Sequence, residues 1–300
     1  MALTLACTIG NWTRQAPGST STNPSMTANF PESARDLTVQ RVRHPLKMRL
    51  LQVLHTTQVS PQLLRVTLGG ADLEDFVSAS FDDHVKVFFP VNGADKPVLP
   101  QVTPDGIAFP EGQPRPPARD YTPRRYDAAK RELDIEFVLH GDGPASTWAA
   151  QARAGQYLGV GGPRGSFVVP AAFDWHLLIG DDTALPAIGR RLEELGPPTR
   201  AIVVVEVADA AAQIPLPTQA HLDLYWLHRG DAPEGSQLEA ALRKLTLPRG
   251  EGYVWAAGEA AAMKAVRQYL VSERGIDKRR IRASAYWKRG DSAVHETLDD

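Results

Sequence analysis

Between residues 173 and 290, apolar strands and amphipathic helices take turns, and this alternation constrains the fold more than any other feature of the chain. The runs 175-WHLLIG-180, 201-AIVVVEV-207, 222-LDLYWL-227 and 253-YVWAAG-258 are apolar almost without a break. Strands of that kind are buried on both faces. Between and after them, 184-ALPAIGRRLEEL-195, 236-SQLEAALRKL-245 and 259-EAAAMKAVRQYLVSERG-275 carry apolar residues at helical spacing. Repeated strand–helix units build a parallel sheet covered by helices, a doubly wound α/β domain. Ligands of such a sheet bind beyond the carboxyl ends of its strands.

The first half follows a different pattern. From Arg49 to about Val169, short apolar runs alternate with Gly, Pro and Asp: 49-RLLQVLHTTQV-59, 62-QLLRVTLGG-70, 84-HVKVFFP-90, 133-LDIEFVLHG-141 and 156-QYLGVGG-162. This predicts a small antiparallel β-barrel. A chain of 300 residues, 43% hydrophobic, has room for both cores. The expected division is a disordered tail over 1–40, a barrel over 41–170, a linker near 169-VPAAF-173, the α/β domain over 173–290 and a tail over 291–300. The Ser- and Thr-rich start lacks the charged opening of a secretory signal, Met26 is an alternative start, and the basic 41-RVRHPLKMR-49 reads as a solvated lead-in. The one cysteine, Cys7, excludes an internal disulfide and any Cys-based metal cluster, which suits a reducing, cytoplasmic setting. A net charge of −2 gives no global attraction for nucleic acid, and no run reaches the ~18 apolar residues of a membrane span.

Two strand ends stand out in the α/β half. In 180-GDDTALP-186, Gly180, Asp182, Thr183 and Ala184 lead into a helix whose first N–H groups suit an anion. In 256-AAGEAAAM-263, Gly258 permits close approach of a ligand and Glu259 opens a long helix. Taken singly, each is equally an ordinary packed turn with an acid favourable to the helix dipole. Together they indicate a dinucleotide.

In the barrel half, 119-RDYTPRRYD-127 follows a proline-rich run. Arg119, Tyr121, Thr122 and Arg124 resemble the R-x-Y-[ST] signature of ferredoxin reductase-like flavoproteins, whose layout is also a barrel followed by a nucleotide domain. The chemistry suits FAD. A Tyr face stacks on a flat ring, a Thr hydroxyl reaches ring nitrogens, and Arg holds phosphate oxygens through paired bonds. An Arg-rich solvated loop over a packed Tyr is the bland alternative. In 140-HGDGPASTWAA-150, His140 ends a strand, where it is placed to touch the flavin ring or else to serve as a structural strand-end His; Gly141 and Gly143 turn the chain, and the N–H groups near Ala145 and Ser146 are placed for a pyrophosphate. Gly162 and Ser166, in 161-GGPRGSF-167, would bring backbone close to the same cofactor.

The stretches 82-DDHVKVFFP-90, 119-RDYTPRRYD-127, 137-FVLHGDGPAS-146, 162-GPRGSF-167, 180-GDDTALPAI-188 and 284-SAYWKRG-290 make the chain from about Arg41 to Gly290 resemble the siderophore-interacting proteins, NAD(P)H-dependent ferric-siderophore reductases. The resemblance implies a six-stranded FAD-binding barrel and a ferredoxin reductase-like NAD(P)-binding domain. It implies hydride transfer from NADPH or NADH to FAD, then single-electron reduction of Fe(III) in a catecholate or hydroxamate siderophore. Those hard oxygen ligands favour Fe(III), so reduction frees the iron. No acid–base residue and no resident metal is needed. Positions implied for the anionic substrate are Lys86, Arg164, Lys288 and Arg289, with Trp287 and Tyr286 against the flavin or at the mouth. The nicotinamide preference is open: Glu206 and Asp209 suit the 2′-hydroxyl of NAD, whereas His228 and Arg229 suit NADP. A cytoplasmic monomer is expected, with no nucleic-acid partner and no membrane insertion. A general flavin or ferric-chelate reductase and a non-enzymatic siderophore-binding protein are the competing readings.

Overall fold

The computed structural model describes residues 35–91, 93–139, 141, 143–290 and 296–298, and gives backbone alone for 7–8, 12–15 and 296. The expectation for His140 lies outside the described residues.

Seven strands form one antiparallel sheet, ordered Pro123–Asp127, Glu132–Val138, Leu63–Gly69, Met48–Ser60, Tyr157–Gly161, Val85–Phe88 and Ala118–Tyr121. Its two edge strands are consecutive in the chain, with only Thr122 between them. One bent wall therefore meets both edges, and the sheet closes into the six-walled barrel that the sequence leads one to expect. The bend has a local cause. Pro123 has no N–H to continue a ladder, and pairing with the neighbouring strand slips register between Pro123 and Arg125. Alternating side chains of these strands, including Leu51, Val53, Val66, Leu68, Leu133 and Ile135, fill the interior.

The second sheet has five parallel strands at its centre, ordered His221–His228, Arg200–Val207, Trp175–Asp181, Gly252–Glu259 and Ile281–Trp287. Chain order reverses at Trp175–Asp181, which makes its carboxyl end the switch point where ligands bind. Helix α1 (Pro144–Ala150) belongs to the barrel. Helix α2 (Leu185–Glu194) buries Leu185, Ile188 and Leu192 on one face of the parallel sheet. Helices α3 (Leu238–Arg243) and α4 (Ala260–Ser272) bury Leu238, Leu242, Met263 and Val266 on the other.

Three peripheral expectations change. The strand Trp12–Gln15, inside the segment read as a tail, pairs antiparallel with His221–His228, and Glu296–Thr297 likewise pairs with Ser284 and Ala285. Cys7–Thr8 pairs in turn with Trp12–Gln15, whereas residues 1–6, 9–11, 16–34, 291–295 and 299–300 lie outside the described residues. The basic lead-in is folded too. Gln40–Arg43 pairs with Gly165–Val168, and the buried Arg49 guanidinium donates to the carbonyls of Asp72 (3.0 Å) and Gly162 (2.9 Å). The linker is packed: Val169 and Phe173 are buried, and Arg191 donates to the carbonyls of Val169 and Pro170, each at 3.0 Å.

The two domains are tied along one seam. Arg190 of α2 donates to Ser78 Oγ (2.7 Å), the Ser78 carbonyl (2.9 Å) and the Pro123 carbonyl (3.0 Å). The buried Asp82 carboxylate accepts from Trp255 Nε1 (2.8 Å) and pairs with Arg282.

Candidate functional site

A cleft of about 340 Å³ opens where the bent wall of the barrel faces the parallel sheet. From the barrel, Arg119, Tyr121 and Thr122 line it. The Tyr121 ring lies 4.5 Å from Phe137, centroid to centroid, and burial pushes its hydroxyl above the usual phenol range. The second contribution is the turn into α1: Gly141, Gly143, Pro144, Ala145 and Ser146. Gly141 has φ +57°, a left-handed conformation that favours glycine. A side chain added at Gly141 or Gly143 would meet nothing within 4 Å, so this part of the wall is open space. Among the described residues, no side chain caps the first turn of α1. The nucleotide domain supplies Thr183, Pro186, Tyr286, Trp287 and Lys288.

Asp181 joins the two strand-end turns, and sequence reasoning passed over it. Its Oδ1 accepts from the Thr183 amide (2.9 Å), and its Oδ2 accepts from the Glu259 amide (3.0 Å) and Trp287 Nε1 (2.9 Å). The Thr183 hydroxyl adds a further short bond to Oδ1. Gly258 is required here because a Cβ would sit 2.6 Å from Asp181 Oδ2 at φ +154°. Burial raises the Asp181 carboxyl against these donors. Beside it, Asp182 is pushed up to about 7, by burial first and then by the neighbouring Asp181 charge. The available signal was the D-x-T spacing at a strand end, an acid positioned to cap its own turn.

Several candidate residues have other partners. Arg124 turns from the cleft to Glu193 of α2 (Nη1–Oε2 3.0 Å) because its strand lies against that helix at the domain seam. Ser166 is buried and donates to Asp83 Oδ2 (2.8 Å), within the support of the barrel. Gly162 gives its carbonyl to Arg49. Gly180 is filled by protein: an added Cβ would lie 2.4 Å from Ala184 Cβ and 2.5 Å from the Ala257 carbonyl, and Ala184 is fully buried. Glu259 caps α4, accepting from the amides of Ala261 (2.7 Å) and Ala262 (3.0 Å).

Of the four proposed substrate cations, Lys86 and Lys288 converge on the cleft. Lys86 lies 2.7 Å from Asp120 Oδ1. Arg164 is exposed elsewhere, and Arg289 pairs with Glu234 (2.8 Å) at a separate cavity. His84 joins the lining without having been singled out from sequence.

The acidic cues for NAD are engaged by backbone. Glu206 accepts from the amides of Gly235 (2.5 Å) and Gln237 (3.1 Å), and Asp209 accepts from the amide of Ala211 (2.8 Å). His228 Nε2 lies 2.7 Å from Gln213 Nε2. Arg229 stays half-buried just past the third strand, 4.0 Å from Glu234.

The lining suits a flavin nucleotide. It combines an aromatic wall, a cation at Arg119, an uncapped helical turn beside open glycines, and a buried acceptor without a donor among the described residues, Glu136 Oε2. A closed antiparallel barrel joined to a doubly wound sheet, with a cleft of this composition at the junction, defines the two-domain ferredoxin reductase-like class.

Comparison with known proteins narrows this further. Residues 52–167 match the family model described as siderophore-interacting FAD-binding domain, and residues 173–290 match the one described as siderophore-interacting protein. The NADPH-dependent ferric-chelate reductase of Escherichia coli (strain K12) is 42% identical over 254 residues, which are 83% of this chain and 96% of that protein. Ferric vibriobactin reductase ViuB of Vibrio cholerae is 38% identical, over 83% of this chain and 93% of its own length. The crystal structure of a siderophore utilization protein from T. fusca superposes with a TM-score of 0.78 at 42% identity, covering 86% of this chain and 98% of that one. The chain belongs to the siderophore-interacting protein family.

Proposed function

We propose that this protein is a ferric-siderophore reductase that draws on NADPH through a bound FAD. The observation that carries this reading is the single cleft in which Arg119, Tyr121, the open turn into α1, Thr183 of the nucleotide domain, and the cations Lys86 and Lys288 meet. Arg119 and the first-turn amides of α1 would hold the diphosphate, with Tyr121 against the ring and Thr122 at its edge. Trp287, fixed by Asp181, would close the far side and exclude water. When bound, the flavin accepts a hydride and releases electrons singly. The carboxyl end of the first parallel strand would present the nicotinamide. NADPH is favoured over NADH because Glu206 and Asp209 are held by backbone amides, leaving Arg229 as the charged group for the 2′-phosphate.

The substrate is Fe(III) bound by a siderophore, and the two lysines at the mouth favour an anionic catecholate over a neutral hydroxamate. Reduction weakens hard-oxygen coordination and releases Fe(II). We place the reaction in the cytoplasm, carried out by a monomer.

Anaerobic single-turnover assays test this. Protein loaded with FAD and reduced by NADPH is mixed with ferric catecholates or ferric hydroxamates and a ferrous trap. Trapped Fe(II) is expected in step with flavin reoxidation, and faster with catecholates. Protein that binds FAD and oxidises NADPH but leaves every ferric siderophore intact would instead be a general flavin reductase. Protein that takes up no FAD but retains ferric siderophore would be a binding protein.

A further inference from the structure

Glu136 belongs to the strand that runs beside the bent wall, one residue beyond Ile135, the register partner of Pro123. That puts it level with the corner at Thr122. The residue is 3% exposed and forms part of the cleft wall. One carboxylate oxygen is fully used: Oε1 accepts from Arg65 Nε (2.9 Å) and Nη2 (2.5 Å), with Arg124 Nε 3.9 Å away. The other oxygen, Oε2, is buried and takes no hydrogen bond among the described residues. The neighbouring Thr122 hydroxyl hydrogen-bonds Tyr286.

A buried carboxylate oxygen without a donor is costly and uncommon in a folded protein. Here Arg65 fixes the carboxylate through one oxygen, with Arg124 near the same atom, and the residue that carries the unpartnered second oxygen lines a cavity large enough for a ligand. We infer that Glu136 is a flavin-anchoring residue whose Oε2 accepts a hydrogen bond from an O–H or N–H of the bound flavin. Two groups on the flavin have this chemistry, the ribityl hydroxyls and the ring imide N–H. This inference rests on the proposal that the cleft holds FAD.

The test is flavin affinity, read by fluorescence quenching as purified full-length apoprotein is titrated. Wild type is measured first, with FAD, riboflavin and lumiflavin, which keeps the imide N–H and lacks the ribityl chain. In Glu136→Gln the single amide oxygen goes to Arg65, and an NH2 group faces the cleft, a donor where an acceptor had been. FAD binding is expected to weaken about tenfold or more, the scale of a lost charge-assisted bond. The melting temperature of the flavin-free protein should change little, because the Arg65 contact survives. Glu136→Asp, which keeps an acceptor, should recover part of the affinity. Loss with riboflavin but not lumiflavin assigns the ribityl hydroxyls, and equal loss with both assigns the imide. Glu136→Gln binding FAD as wild type does would overturn the assignment, as would a loss confined to NADPH affinity. Should Glu136→Gln fail to fold, the comparison passes to Glu136→Asp, where an FAD affinity as weak as that of lumiflavin counts against the inference. Wild type that binds no flavin sinks the functional proposal itself, an outcome separate from these.

Discussion

Asp182 is the residue where burial has the clearest consequence for pH. Its carboxyl is raised to about 7, well above the ordinary value of 3.8, so the folded chain holds a proton there that the unfolded chain has released. Between about pH 4 and pH 7 the native state binds more protons, and this site's contribution to stability therefore falls as pH rises. Asp182→Asn is expected to flatten that slope and to be more stable than wild type above pH 7, with the two converging below pH 4. Urea melts at several pH values would show it, and a variant with the parent slope would contradict it. His176 behaves in the opposite sense. Burial first and then Arg191 depress it to about 3, so it stays neutral and costs stability only as pH falls below its ordinary 6.5. Individual roles were unevenly legible at this scale. Tyr121, Thr122 and Arg119 were readable as members of one cleft because their types and spacing suit a ring and a phosphate, the roles proposed for them. Asp181 was not, because a strand-end Asp looks the same whether it caps one turn or, as here, ties three segments through Glu259 and Trp287.

Among the elements, α2 ties the parallel-sheet half to the barrel beside the cleft. Its apolar positions were readable from helical spacing, and they do pack on the sheet. On its polar face, Arg190, Arg191 and Glu193 all reach across the seam to the barrel or the joint. Nothing in 189-GRRLE-193 distinguishes a docking face from a wet one, because the partners Ser78, Pro123, Val169 and Arg124 are distant in sequence. Arg190→Ala removes the donor to two carbonyls and one hydroxyl at once. A loss of about 1–3 kcal/mol is expected, measured by denaturation, together with faster proteolysis near residues 169–173. Unchanged stability would mean that the seam is held by Asp82 and Arg124 without it.

For the whole molecule, the sequence carried the two-domain plan because each half has its own periodicity. Convergence of distant cations was beyond it. Lys86 and Lys288 meet at one cleft, while Arg164 and Arg289, equally basic and equally family-like, do not. Since the chain as a whole carries −2, the proposed attraction of an anionic iron complex would arise locally, from cations at this cleft. The double substitution Lys86→Ala, Lys288→Ala is expected to slow reduction of ferric catecholates about tenfold at low salt and to abolish most of the salt dependence. Ferric hydroxamates should be reduced at nearly parental rates. Equal slowing of both classes would move the lysines from steering to some other task. The bent wall at Thr122 carries a last consequence, for the order of assembly. The barrel shuts only when residues near 121 and 123 have found strands on opposite flanks, and the final strand to be made, Tyr157–Gly161, must already stand between Met48–Ser60 and Val85–Phe88. Such distant pairings form late and open early. The strip proposed to hold the cofactor lies on that latch, so loading with FAD should slow hydrogen exchange at Tyr121 and Thr122 more than at Val66 or Ile135. Occupancy would then act as the bolt of the barrel as well as its chemistry.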